Sequence, residues 1–219
     1  MKLLIFLILI ASLCYTSAAN AQNKYWSLGP ALSLDQYKVN LPSGTDGAVI
    51  KNPVALSYGI DLSYLCKQLL FDVKVLTSNR EYRYSQTYPI TSSPDISTYA
   101  TIKGQYLIIP VTVSYRLISG NRFTMFAGVG AIDEWVPNGF KSYKANKDGM
   151  ILSNPGLKAD AEKTFRVGGN AQAVFRYNLS TKILLSLEPS YHLFSRIGVP
   201  AGYTNQHAFS GLLSMGYKL

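Results

Sequence analysis

The sequence predicts an all-β chain: an eight-stranded antiparallel up-and-down transmembrane β-barrel with short periplasmic turns and long extracellular loops. Three observations predict it. The first is alternation. From Phe165 to Tyr177, Phe165, Val167, Gly169, Ala171, Ala173, Phe175 and Tyr177 share one parity, while Arg166, Gly168, Asn170, Gln172 and Arg176 share the other with the apolar Val174. Side chains in a strand point alternately to opposite faces, so the segment has one apolar and one polar face. The second is the order of connections, short then long along the chain. The third is an export leader: Lys2, the apolar run Leu3 to Leu13, and Ala19-Asn20-Ala21 before Gln22. A basic start, a short apolar core and an A-x-A site define a cleaved signal peptide. The expected division is therefore a leader over residues 1–21 and one barrel domain over 22–219.

The leader's apolar run is shorter than the roughly 20 residues of a spanning helix. The rest of the chain holds no such stretch. A membrane protein without apolar helices must be a closed barrel, because lipid offers no partners to open backbone groups. Cys14 leaves with the leader, so Cys66 is the single mature cysteine and no intramolecular disulfide forms.

Each strand follows from the same alternation. The first, over 25–39, sets Trp26, Leu28, Leu32 and Leu34 against Ser27, Gly29, Ser33 and Asp35. Over 54–66, Leu56, Tyr58, Ile60, Leu62 and Tyr64 oppose Ser57, Gly59, Asp61 and Ser63. Over 69–80, Leu69, Phe71, Val73 and Val75 oppose Asp72, Lys74 and Ser78. Leu107, Ile109, Val111, Val113 and Tyr115 give the outer face of 103–117, with Thr112, Ser114 and Arg116 inward. The remaining strands are expected over 122–136, 164–177, 181–194 and 206–219, the last with Phe209, Leu213, Met215 and Tyr217 outward.

Short links (Lys67-Gln68, a turn around Ser119-Gly120-Asn121, and Asn178-Leu179-Ser180) alternate with long ones at 40–53, 81–102, 137–163 and 195–205. Bacterial outer-membrane barrels have this asymmetry, with turns on the periplasmic side. Outward aromatics agree: Tyr64, Tyr115, Phe123, Phe175, Tyr177 and Tyr217 fall near the turn end, and Trp135, Phe165 and Tyr191 near the other, as interfacial girdles do. Pro30, Pro110 and Pro189 lie inside strands and Pro53 at a strand start. Proline cannot donate to a ladder, so bulges or overlong strands are expected there.

The inward parity carries Asp35, Asp61, Asp72, Lys74, Arg116, Glu134, Arg166, Arg176, Lys182, Glu188 and His192. Eight strands enclose a lumen that side chains just fill, and buried charges must be paired. A lumen network of Asp61, Asp72, Lys74, Arg116, Arg166, Arg176 and Glu188 is expected, with Asp61 facing Asp72 across the ladder and Lys74 or Arg176 supplying the cation.

The run Tyr106-Leu107-Ile108-Ile109-Pro110-Val111, followed by Val113-Ser114-Tyr115-Arg116 and then Phe126-Ala127-Gly128-Val129-Gly130, resembles the PorT-like outer-membrane β-barrel family. The ending Gly216-Tyr217-Lys218-Leu219 is similar as well, although it departs from the commonest terminal aromatic. The resemblance implies a small surface barrel without shared catalytic residues. The family's namesake is tied to a secretion machine, and no residue carries that role over.

Chemistry is sparse. His192-Leu193-Phe194-Ser195 invites comparison with lipid A-modifying barrel enzymes, which need a serine, a histidine and an orienting carboxylate within reach, but His192 and Ser195 differ in parity and the other histidine, His207, is isolated in sequence, so no catalytic residues are expected. Gly128-Val129-Gly130 precedes no helix and is no dinucleotide loop. Two histidines and one mature cysteine far apart give no metal spacing, and no cofactor is expected. The formal charge of +9 comes with no nucleic-acid recognition motif. Arg80, Arg83, Lys141, Lys144 and Lys147 are expected to form a basic patch in the extracellular loops beside anionic lipopolysaccharide. The expected role is structural or interactive, as a monomer in the outer membrane of a Gram-negative bacterium, among its lipids and with another envelope or secretion protein as a further candidate partner. The rivals are a lipid A-modifying enzyme, a narrow pore and an exported soluble ligand-binding barrel, the last requiring apolar residues inside.

Overall fold

The computed structural model describes residues 24–40, 48–51, 54–90, 93–147, 150–152, 159–161, 164–194 and 204–219. The leader and Pro53 lie outside them, as does Ser195. Among the described residues the chain forms β1 (Lys24–Asn40), β2 (Ala48–Lys51), β3 (Val54–Cys66), β4 (Leu69–Ile90), β5 (Ser93–Ser119), β6 (Phe123–Lys147), β7 (Met150–Leu152), β8 (Ala159–Ala161), β9 (Thr164–Asn178), β10 (Ile183–Phe194) and β11 (Thr204–Lys218). Eight of these are barrel staves: β1, β3, β4, β5, β6, β9, β10 and β11. Each pairs antiparallel with the stave next to it in sequence, and β1 pairs β11 to close the cylinder.

Alternation decides which side faces out. Along β3, Ala55, Ser57, Asp61, Ser63 and Leu65 are buried while Leu56, Tyr58, Ile60 and Leu62 are exposed. Large apolar side chains stay open around the wall, Leu34 at 60%, Leu187 at 52% and Val129 at 69% exposure. The buried set is rich in serine and in charge. This is the reverse of a soluble barrel with an apolar ligand cavity.

The aromatic belts also fall as their positions require. At the turn end Trp26 stacks on Tyr64 with centroids 4.5 Å apart, and Phe123 lies 6.3 Å from Phe175. At the other end Tyr191 meets Phe209 at 4.9 Å.

Three expectations change. The first is register. The Lys67-Gln68 turn, in which Lys67 takes a positive φ of 55°, sets Cys66 opposite Leu69; counting outward, Asp61 faces Lys74 and Ser63 faces Asp72. Opposite charges, not two carboxylates, therefore meet across this ladder, the arrangement cross-strand electrostatics favours.

The second is strand length. The segments expected as loops at 81–102 and 137–163 are largely strand. β4 and β5 stay paired from Leu69–Tyr115 up to Ile90–Ser93, and β6 follows β5 as far as Asn146. Tyr82, Tyr84, Thr87, Tyr88, Ile96, Thr98, Tyr99, Thr101 and Ile102 supply the aromatic and β-branched residues that suit a strand. The charges at Arg80, Glu81 and Arg83 suggest a loop, but an antiparallel sheet tolerates them. The three staves rise past their neighbours as a blade of roughly 30 Å, at about 3.3 Å per residue. Short strands cover its margins: β2 pairs β4, and β7 and β8 pair β6. Covering sheet edges prevents pairing with other chains.

The third concerns the prolines. Each interrupts one ladder and leaves the other intact, with no bulge. Pro30 keeps Ile60 while the β1–β11 bridges skip Gly29 and Pro30; Pro110 keeps Ile132 while the β4–β5 ladder skips Ile109 and Pro110; Pro189 keeps Gly211 while the β9–β10 ladder skips Glu188 and Pro189. The missing N–H breaks one local pairing, and the same register resumes beyond it. The β5–β6 register shifts, by contrast, fall at Gln105/Leu107 and Arg116/Ile118. Beside Pro30, a Cβ on Gly29 would lie 1.8 Å from the Met215 carbonyl oxygen, so only glycine allows the staves to approach this closely.

Candidate functional site in the lumen

The inward residues form layers along the barrel axis. Nearest the turns, Leu65, Leu70, Phe126 and Val174 make an apolar floor against Tyr25. Its members sit on the parity that is otherwise polar, and Val174 is the exception already visible in the alternation. A narrow cylinder has to be filled at its ends, and apolar residues do so without needing partners.

Above the floor lies an ionic layer. Arg176 of β9 reaches Asp72 of β4, Nη2 to Oδ1 at 3.0 Å, and donates to Ser63 Oγ at 2.7 Å. Gln172 Nε2 donates to Thr112 Oγ1 at 2.8 Å and approaches Asp72 Oδ2 at 3.5 Å. Lys74 Nζ stands 2.8 Å from Glu188 Oε2 and 4.0 Å from Asp61 Oδ1. Ser214 donates to Asp61 Oδ2 at 2.8 Å.

The next carboxylate, Asp35, is held by hydroxyls. Ser33 donates to it at 2.6 Å and Ser210 at 2.5 Å, and Ser57 donates to its other oxygen. Charge-assisted bonds of this kind are about twice as strong as neutral ones, so three hydroxyls satisfy the anion here.

Toward the blade, Glu134 of β6 lies between two guanidiniums. Arg166 Nη2 is 2.5 Å from Glu134 Oε1, and Arg80 bonds Oε2. The Arg80 guanidinium carbon lies 3.7 Å from the Tyr37 ring centroid and 4.1 Å from that of Tyr106. Leu76, Ile108, Ile132 and Phe194 pack in the same layer.

Asp61, Asp72, Lys74, Arg166, Arg176 and Glu188 thus all face the lumen, in two separate groups. Arg116 lies apart near the turn end, with its guanidinium carbon 5.7 Å from the Phe126 ring, and makes no ion pair among the described residues. Arg80 is corrected: its side chain is buried in the lumen and belongs to the Glu134 layer, not to a surface patch. Its parity is that of Asp72, Lys74 and Ser78, so the alternation held the signal once β4 continued past it. Glu134, Asp35 and Gln172 complete the lumen and were outside the expected network; all three lie on the inward parity. Arg83, Lys141, Lys144 and Lys147 lie on strands of the blade, with Arg83 opposite Lys51 and Thr101, Lys141 opposite Ile102, and Lys144 opposite Tyr99.

The nearest approach to catalytic geometry is Ser190 Oγ at 2.9 Å from His192 Nε2. His192 Nδ1 makes no hydrogen bond, so no carboxylate orients the ring as a nucleophile–base pair requires. The cavity beside it, lined by Asp35, Lys74, Glu188 and Ser210 among others, has a volume of about 20 Å³. That is room for one water, not for a substrate. Among the described residues, no group of three or more His, Cys, Asp or Glu side chains is placed to hold a metal ion.

Fold and lumen together define a closed eight-stranded antiparallel barrel with an apolar wall and a packed polar interior. No family model matches the sequence, and no curated protein matches it. Solved structures similar to it include Neisserial surface protein A, 14% identical over 89% of this chain and 96% of that one with a TM-score of 0.43. Ail, the attachment invasion locus protein of Yersinia pestis, is 14% identical over 90% and 98% at a TM-score of 0.39. The outer membrane protease OmpT of Escherichia coli is 8% identical over 90% and 96% at 0.44.

Proposed function

We propose that this chain is a non-catalytic outer-membrane barrel of a Gram-negative bacterium, of the PorT-like kind, whose sealed lumen makes it a rigid mount for the blade. The carrying observation is the pairing of an apolar wall with a lumen filled from floor to Glu134 layer. The wall supports residence in lipid, where a charged interior and an apolar exterior are stable. The filled lumen favours a mount over a pore. The blade, bearing Arg83, Lys141, Lys144 and Lys147, then supplies the interaction surface, and anionic lipopolysaccharide is its expected neighbour.

The first test is fractionation, with the purified band run boiled and unboiled. A membrane-resident band that migrates faster unboiled is expected, and a soluble band without a heat shift would overturn the reading. Reconstituted in a planar bilayer, the wild-type barrel should show no steady conductance. For the blade, binding to lipopolysaccharide should weaken when Lys141, Lys144 and Lys147 become Gln; equal binding would remove that partner.

A further inference from the structure

The charged side chains at the turn end of the barrel are of one sign. Among residues 24–30, 64–70, 114–126, 174–184 and 214–219 there is no Asp or Glu. The carboxylates nearest to this end, Asp61, Asp72 and Glu188, are buried in the lumen. Yet each hairpin turn here carries an exposed cation: Lys67 between β3 and β4, Arg122 between β5 and β6, and Lys182 between β9 and β10. At the closing seam, β1 adds Lys24 on the outward parity of Trp26, while Lys218 of β11 faces the lumen mouth. The chain's overall basicity does not account for this, because the opposite end mixes signs, with Glu81, Asp95, Asp133 and Asp160 among its cations.

The depth of these cations is marked by the aromatic girdle. Lys182 Nζ lies 5.9 Å from the Tyr217 ring centroid. Lys218, on the inward parity of Ser210 and Ser214, stands at the lumen mouth instead, its Nζ 4.9 Å from the centroid of Tyr25 at the floor and donating to Asn178 Oδ1 at 2.7 Å. Aromatic belts sit at headgroup level, so cations bordering the belt stand where lipid phosphates are.

We propose that this rim is a binding ring for anionic phospholipid headgroups of the surrounding leaflet, an inference that rests on the membrane reading above. The distribution selects the partner. The cations occupy all four strand-pair ends around the circumference, β3–β4, β5–β6, β9–β10 and β11–β1. A docked protein would engage one sector, whereas a planar leaflet meets every sector at once. Basic residues at an anionic surface each favour binding by about fivefold.

The test uses the full chain in phosphatidylcholine vesicles with spin-labelled phosphatidylglycerol or spin-labelled phosphatidylcholine as probe. The wild type should associate with the anionic probe several-fold more strongly, and molar salt should abolish the preference, since exposed charges are screened. In K24Q/K67Q/R122Q/K182Q the ratio should fall to about one, while K141Q/K144Q/K147Q at the other end should leave it unchanged. A wild type without preference, a preference insensitive to salt, or one equal in the rim variant would overturn the ring. So would rim-dependent sedimentation with peptidoglycan sacculi in the absence of lipid preference. If the rim variant fails to insert, the salt dependence of the wild type still decides. A chain that shows no heat-shifted band in any vesicle removes the membrane reading itself, whereas one that inserts without lipid preference removes the ring alone.

Discussion

The two ionic layers of the lumen solve the same problem with different neutral neighbours. Toward the turns, Asp61, Asp72 and Glu188 face Lys74 and Arg176, an excess of one carboxylate. Toward the blade, Arg80 and Arg166 share the Glu134 carboxylate. Each layer adds neutral groups suited to the charges they touch. The acidic layer recruits donors, Ser214 on Asp61 and Gln172 beside Asp72. The basic layer recruits π faces, Tyr37 and Tyr106 over Arg80, with Phe194 5.7 Å from the Arg166 guanidinium carbon. A buried charge needs a compensating environment, not a one-to-one partner.

Removing Glu134 should break this comparison most sharply. Glu134→Gln removes the carboxylate that two buried guanidiniums both contact. Breaking a buried ion pair from one side costs roughly 3–5 kcal/mol, and the boiled-to-unboiled transition in detergent should move down by many degrees. A transition that stays in place would mean that the aromatic rings alone suffice and that the blade-side layer is not electrostatically organised.

Asp72→Asn ranks next. Arg176 loses its carboxylate but keeps Ser63, and Glu188 and Asp61 remain in the layer. A loss of about 2 kcal/mol is expected, at the low end for a charged hydrogen bond removed in a buried site. The paired change Asp72→Leu with Arg176→Met sharpens the test. If the pair serves stability, the double variant should stay well below wild type; if it recovers, the pair is tolerated instead of required, as well-packed replacements of buried ion pairs can be.

The contrast between the layers also marks what could be read from the chain. The acidic layer was legible because β3, β4, β9 and β10 end in short turns, so parity and turn length together place Asp61, Asp72, Lys74, Arg176 and Glu188 inward at similar depth. The detailed pairing of Asp61 with Lys74 depends on counting from a two-residue turn, where a slip of two residues preserves the face but changes the partner. The basic layer was less legible. Arg80 precedes Glu81 and Arg83, and a run of charges suggests a loop until the β4–β5 pairing carries the strand beyond it. The proline gaps are invisible in sequence because parity is unaffected: register runs through each gap unchanged. The apolar floor was hidden for a different reason. Leu65, Leu70 and Phe126 break the polar parity at the barrel's end, and only closure shows that they face one another.

The smallest expected effect distinguishes the cations' two kinds of compensation. Tyr37→Leu keeps the volume largely apolar and leaves the ion pairs of Glu134 intact, but removes the ring face 3.7 Å from the Arg80 guanidinium. Cation–π contacts that are desolvated are worth about 2 kcal/mol or more, and part of that is offset because Tyr106 remains on Arg80. A loss of about 1 kcal/mol is therefore expected, and Tyr37→Phe should recover most of it, since the face persists without the hydroxyl. If Tyr37→Phe is as destabilised as Tyr37→Leu, the phenol's hydrogen bonding and not its ring holds Arg80. The blade-side layer would then be compensated by polar donors and acceptors, as the turn-side layer is.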